Sequence, residues 1–158
     1  MADYNDTIFY APMTGELLDI GECVDPIFSQ NIVGAGVLLI PSLPKVYSPC
    51  AGKVSVLANG RHGISIKNPD GLQVLIHIGI DTVEMDGNGF ISHKKVGDEV
   101  KPGDLLLEFD LEKIKASGKS LQSPVVITNP SVKKLDIIAK DQVNHGDEIF
   151  RIMESKYV

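Results

Sequence analysis

The chain has 158 residues, 43% of them hydrophobic, which suffices for one domain with a buried core and is too little for two comfortable ones. A formal net charge of −6 and a pI near 5.1 exclude a nucleic-acid binder, because no basic stripe exists to neutralise phosphates. Met1 to Tyr10 lacks the basic and apolar regions of a secretion signal, and the longest apolar run, Gly36 to Pro41, is strand-sized rather than membrane-sized.

In chain order, the polar start reads as a flexible leader over residues 1–7, followed by a single domain to residue 158. Asp25 to Val33 has weak helical spacing. Gly36 to Pro41, Lys53 to Leu57, Ile64 to Ile66, Gln73 to Ile78, Leu105 to Phe109 and Val125 to Thr128 are β-branched or apolar runs between Gly and Pro punctuation, and predict strands. Asp70-Gly71 between two of these runs is a hairpin signal. Leu111 to Ala116 has the spacing of a short helix. Many short strands with frequent turns predict an all-β fold, an antiparallel sandwich or barrel.

Two internal echoes sharpen that expectation. Phe9-Tyr-Ala-Pro-Met-Thr-Gly-Glu-Leu17 resembles Val46-Tyr-Ser-Pro-Cys-Ala-Gly-Lys-Val54, and Val100-x-x-Gly-Asp104 resembles Val143-x-x-Gly-Asp147. Each is a turn that delivers a strand, with Gly supplying backbone freedom. They are too few for a solenoid and predict a pseudo-duplicated, closed sandwich of the barrel-sandwich hybrid kind. Cys23 and Cys50 have no metal-ligand spacing and read as two buried thiols in a reducing, cytoplasmic setting.

Four histidines carry the chemistry. His93 and His145 sit in polar, turn-like contexts and read as solvated loop residues. His77 lies inside an apolar strand. Period 2 puts it on one face with Leu75, while Val74, Ile76 and Ile78 take the other. Gly79 then removes the next side chain on the His77 face and leaves room for an approach to the imidazole. His62 precedes the neighbouring strand. A hairpin centred between Pro69 and Asp70 places it directly opposite His77, with Cβ atoms about 4.5 to 5.5 Å apart. Two facing imidazoles in an apolar dish admit three readings: metal ligands in need of partners, a passive pair, or a nucleophile with a stabiliser. A neutral imidazole nitrogen can attack phosphorus in line while a second imidazole donates to the phosphoryl oxygens.

The run His77-Ile-Gly-Ile-Asp-Thr-Val-Glu84, followed by Gly87-x-Gly-Phe90, resembles the signature of the glucose-class enzyme IIA component of the bacterial sugar phosphotransferase system. So do Tyr10-Ala-Pro-x-x-Gly15, Asp25-Pro-Ile-Phe-Ser-Gln30, Tyr47-Ser-Pro-x-x-Gly52, His62-Gly-Ile-Ser-Ile66 and Ser123-Pro-Val-Val-Ile-Thr-Asn129. The resemblance implies an antiparallel β-sandwich that needs no cofactor, with His77 phosphorylated and His62 stabilising the phosphoryl group. It implies a histidine-containing phosphocarrier protein as donor and a cysteine of an enzyme IIB domain as acceptor, during sugar import. The partners' docking rim is expected around Leu75, Gly79, Asp81, Val83 and Ala35.

Two positions depart from the family pattern. Gly60 stands where members commonly have a Thr that orients the second histidine, and Ala35 where they have an Asp that helps receive the donor. Three other functions compete. A regulatory binding module could keep the fold and lose transfer, with His62 and His77 sharing a zinc ion with a partner carboxylate. A lysostaphin-type zinc endopeptidase is suggested by His77-x-x-x-Asp81, though the His-x-His element of that family is missing. A biotinyl or lipoyl carrier domain is suggested by the Val-x-x-Gly-Asp echoes, though no suitably flanked lysine occurs.

Overall fold

Short β-branched runs broken by Gly and Pro cannot build long helices, and the chain resolves into strands joined by tight turns. The computed structural model describes residues 4–129 and 134–155. The strands are β1 (Tyr4–Tyr10), β2 (Gly15–Asp19), β3 (Ala35–Pro41), β4 (Lys45–Tyr47), β5 (Gly52–Leu57), β6 (Gly63–Lys67) and β7 (Gln73–His77). They continue as β8 (Phe90–Ser92), β9 (Glu99–Val100), β10 (Leu105–Phe109), β11 (Ser123–Ile127), β12 (Lys134–Ile137), β13 (Gln142–Val143) and β14 (Glu148–Ser155). The helices among the described residues are α1 (Pro26–Ser29), α2 (Leu111–Ala116) and two 3-10 turns, Ile20–Glu22 and Thr82–Met85.

All the strand pairings among the described residues are antiparallel, as expected for an antiparallel sandwich. One sheet runs β13-β2-β3-β11-β7-β6-β5-β9, and two three-stranded sheets, β1-β14-β12 and β4-β10-β8, pack against it. Between them lies a continuous core that includes Phe9, Met13, Leu39, Ile64, Ile76, Leu107 and Phe150. Within it the Phe9 and Phe150 rings stand 5.3 Å apart.

The large sheet is pseudo-symmetric about the β11–β7 pair, and the two sequence echoes end in β2 and β5, which hold equivalent places in its two halves. The echoes bond reciprocally. Tyr10 N–H donates to Pro49 O (2.9 Å) and Tyr47 N–H to Pro12 O (2.8 Å). The Val-x-x-Gly-Asp turns complete the pattern: Ser48 N–H donates to Asp104 O at 2.8 Å, and Ala11 N–H to Asp147 O at 2.7 Å. Pseudo-duplication read from the sequence is therefore a physical exchange of hydrogen bonds.

Three sequence expectations change. The proposed leader is corrected from Tyr4 onward, because β1 begins there and pairs with β14, Phe9 opposite Phe150; residues 1–3 lie outside the described residues. The helical spacing of Asp25 to Val33 yields only one turn, Pro26–Ser29, capped by the Asp25 side chain on Ile27 N–H. The hairpin register also moves by one. Gly63, not His62, is opposite His77, because the turn is a five-residue loop from Asn68 to Leu72 centred on Asp70. Buried Asn68 enforces that length. Its Oδ1 accepts from Asp70 N–H (3.0 Å) and Leu72 N–H (2.8 Å), while its own N–H donates to Leu72 O (2.8 Å).

Asn68→Ala removes both side-chain bonds from a buried turn and is expected to lower unfolding free energy by about 1 to 3 kcal/mol, measured by urea titration.

Candidate functional site

The site forms where β7 ends. Alternation buries Val74 and Ile76 in the core and leaves Leu75 and His77 half-buried on the opposite face. There the segment 20–33 folds back over the sheet. Ile20, Cys23 and Phe28 pack with Leu38, Ile80 and Val126 in a second small core that Leu75 joins. Gln122 stitches this strip down, donating to Glu22 O (3.3 Å) and accepting from Val24 N–H (2.8 Å). The Phe28 ring consequently stands 5.6 Å from the His77 imidazole.

Backbone geometry fixes the His77 ring. Gly79 adopts a left-handed conformation (φ 72°) that turns its carbonyl back toward the imidazole, 2.7 Å from Nδ1. Nδ1 therefore carries the proton and donates it, and Nε2 is left with a free lone pair. The turn is braced on three sides: Gly79 N–H donates to Ser123 Oγ (3.1 Å), Thr82 Oγ1–H to Ile78 O (2.5 Å), and Ile80 N–H to Ser120 O (3.1 Å). The glycine's role differs from the sequence reading. A Cβ there would lie 2.5 Å from Thr82 Cγ2 and 2.9 Å from Ser120 O, so the missing side chain makes room for the turn rather than for a ligand.

The residue that does leave space is Gly63, which sits directly opposite His77. His62 thus reaches His77 from the strand's approach rather than from the paired position. The two imidazole planes are at 78° with centroids 5.2 Å apart, and the Phe90 ring packs edge-on to His62 at 6.3 Å. His62 is buried, its carbonyl taking Ile78 N–H at 2.7 Å. Its Nδ1 has no hydrogen-bond partner among the described residues and faces Gly60.

Both imidazoles titrate below the ordinary histidine value of 6.5. Burial lowers both. For His77 the Gly79 carbonyl opposes the shift, His62 adds to it, and the carboxylates of Asp25 and Asp81 oppose it. Two neutral rings near pH 7 are what a nucleophilic nitrogen requires.

The expected rim residues separate. Asp81 is exposed, in the left-handed region (φ 62°), and Val83 is exposed on the following 3-10 turn. Ala35 does not join them. It pairs with Ile127 in β3 and falls on the same side as core residues Val37 and Leu39, away from the His77 face. Asp25, part of the Asp25-Pro-Ile-Phe-Ser-Gln30 motif, is the carboxylate that acts on His77 beside Asp81. Its signal was present in Asp25-Pro26, a cap followed by Pro at the first helical position. Val24, Ile27 and Ile32 of the same 20–33 segment are exposed. His93 pairs with Glu108 at 2.7 Å and His145 stacks on Tyr47 at 4.1 Å; both are exposed and belong to other surfaces. Among the described residues no group of three His, Cys, Asp or Glu could hold a metal ion, so the His77–Asp81 pair gains no third ligand.

The fold is thus a pseudo-duplicated antiparallel β-sandwich that brings two imidazoles, both shifted toward the neutral form by burial, together beside an aromatic wall. The family model for the phosphoenolpyruvate-dependent sugar phosphotransferase system, EIIA 1, matches residues 7–132. Among solved structures, the glucose permease IIA from Mycoplasma capricolum is similar, with a TM-score of 0.89 and 31% identity, covering 93% of this chain and 96% of that one. The chain belongs to the glucose-class enzyme IIA family, as a phosphoryl-carrying component of the sugar phosphotransferase system. No helix among the described residues is long and apolar enough to cross a membrane.

Two outcomes follow for the site. Gly79→Ala forces a Cβ into Thr82 and Ser120 at a left-handed φ, and is expected to cost more than about 2 kcal/mol by urea denaturation. Because both folded imidazoles resist protonation, the unfolded chain binds more protons just below the ordinary histidine value. Stability is therefore expected to fall as pH is lowered from about 7 to about 6, and His77→Gln should flatten that slope.

Proposed function

We propose that His77 Nε2 accepts a phosphoryl group from the phosphohistidine of a histidine-containing phosphocarrier protein and passes it to a cysteine of an enzyme IIB domain. The observation that carries this reading is the Nδ1–H···O=C bond from His77 to Gly79. It leaves Nε2 as the one nucleophilic nitrogen and keeps the ring proton in place through both transfers.

In the first transfer the Nε2 lone pair forms a new P–N bond as the donor's P–N bond breaks, and the donor imidazole leaves with the electron pair. No proton needs to move. The His77 ring gains positive charge as the bond forms, and that charge faces the Gly79 carbonyl and the fields of Asp25 and Asp81. The groups that oppose the ring's lowered pKa are thus those that stabilise it when phosphorylated. In the second transfer a cysteine thiolate attacks phosphorus, a P–S bond forms, and the P–N bond returns its electrons to Nε2. The apolar surround of Phe28, Phe90, Ile27 and Val83 would exclude water from the labile P–N bond once a partner docks.

His62 supplies the second ring. Its Nδ1 is turned toward Gly60, so Nε2–H is the donor available to the phosphoryl oxygens. The exposed apolar residues, flanked by Asp25 and Asp81, suit partners that bring an apolar surface with basic side chains. Buried, unpaired Cys23 and Cys50 are consistent with work in the reducing cytoplasm.

The test is intact-mass analysis after incubation with phosphoenolpyruvate, enzyme I and the donor phosphocarrier. One acid-labile phosphoryl group is expected on the wild type and none on His77→Ala, whereas His62→Ala should accept the group and fail to pass it on. Full phosphorylation of His77→Ala would sink the proposal.

A further inference from the structure

The loop that delivers His62 holds its ring without a hydrogen bond to the buried nitrogen. Nδ1 is enclosed and has no partner among the described residues. Gly60 faces it closely enough that an added Cβ would lie 3.0 Å away, yet offers no polar atom. A terminal ring torsion is broad and roughly two-fold, so an imidazole lacking such a bond can flip unless packing prevents it. The rings packed against it are His77, with centroids 5.2 Å apart, and, in a separate contact, Phe90, edge-on at 71° with centroids 6.3 Å apart.

Phe90 is in turn tied to the residue immediately before His62. Arg61 occupies the left-handed region (φ 61°), with its N–H donating to Ala58 O at 2.8 Å. From that position its side chain crosses to the neighbouring loop. Nε donates to Phe90 O (3.0 Å) and Nη2 to Gly87 O (3.3 Å). Gly87 is glycine in a left-handed conformation, and a Cβ there would lie 2.9 Å from Nη2. A non-glycine residue in left-handed backbone is held there only when its surroundings over-determine it, and here the Arg61 N–H bond to Ala58 O and the guanidinium fork both act on it. A lysine ammonium has no second, fixed donor with which to span two carbonyls.

We propose that Arg61 is a positioning residue for His62. By pinning Phe90 against the imidazole it keeps Nε2 toward His77, in place of a hydrogen bond to Nδ1. This rests on the roles proposed for His77 and His62. A role of Arg61 as a bare positive charge near the phosphoryl group is the competing account, and Arg61→Lys separates the two.

The experiment compares the wild type, Arg61→Ala, Arg61→Lys and the double variant Gly60→Ser/Arg61→Ala. The first readout is the ring-nitrogen NMR shifts of His62 and its cross-peaks to Phe90, recorded in the unphosphorylated protein. The second is the rate of phosphoryl acceptance on His77, set against the rate of transfer onward to an enzyme IIB domain. Arg61→Ala is expected to give averaged His62 ring signals and to slow onward transfer about tenfold, with acceptance changed less than about twofold. Arg61→Lys should behave like Arg61→Ala. The double variant, with a hydroxyl beside Nδ1, should recover a single ring state and most of the onward rate.

Unchanged His62 signals in Arg61→Ala, wild-type transfer by Arg61→Lys, or no recovery in the double variant would each overturn the proposal. Should Arg61→Ala fail to fold, Arg61→Lys and its ring signals decide the question. Absence of phosphate on wild-type His77 would instead defeat the carrier reading, while the ring signals still report on Arg61.

Discussion

The hydrogen bond between His77 Nδ1 and the Gly79 carbonyl joins a backbone conformation to a chemical property, and most of the surrounding structure exists to hold it. The carbonyl points at the ring only because Gly79 is left-handed, and that conformation is fixed by Ser123, Ser120 and Thr82 from two other segments. β11 supplies Ser123, and the 3-10 turn after the strand supplies Thr82. The large sheet therefore does more than carry His77. It sets the tautomer, and the tautomer sets which nitrogen reacts.

The electrostatics around this bond are arranged for a group that changes charge. Burial keeps the free ring neutral, while Gly79, Asp25 and Asp81 favour it when it becomes cationic. Asp25 reaches the site because the strip over residues 20–33 is folded down by a small apolar core and by Gln122. That strip departs from the pseudo-symmetry of the large sheet. It gives one half of a near-symmetric molecule an aromatic wall and a carboxylate beside the imidazoles.

Much of this was legible in the sequence, for reasons that differ by element. The central strands were readable because β-branched runs between glycines admit little else, and β3, β5, β6, β7, β10 and β11 appear within a residue or two of their expected limits. The histidine pair was readable through period 2 on β7 and the hairpin signal. The register was not, because it depends on how many residues the Asn68 side chain encloses, a three-dimensional property of that turn. β1 was hidden by its polar sequence, since its pairing with β14 joins residues near opposite ends of the chain. Arg61 carried no motif signal at all, and its reach to Gly87 and Phe90 exists only once the two loops are adjacent. Ala35 shows the opposite failure: the family pattern named the position, and the strand's alternation turned it away from the face.

The large sheet ends at both edges in strands of only two residues, β13 and β9. A carrier must leave an apolar face uncovered to receive successive partners, and uncovered apolar surface invites self-association. Long unpaired strand edges would add a second route, in which backbone groups recruit any extended chain. Truncating both edges removes most of that templating capacity from the sheet that bears the imidazoles. Selection between partners can then act on side chains rather than on the indiscriminate hydrogen bonding of the peptide backbone.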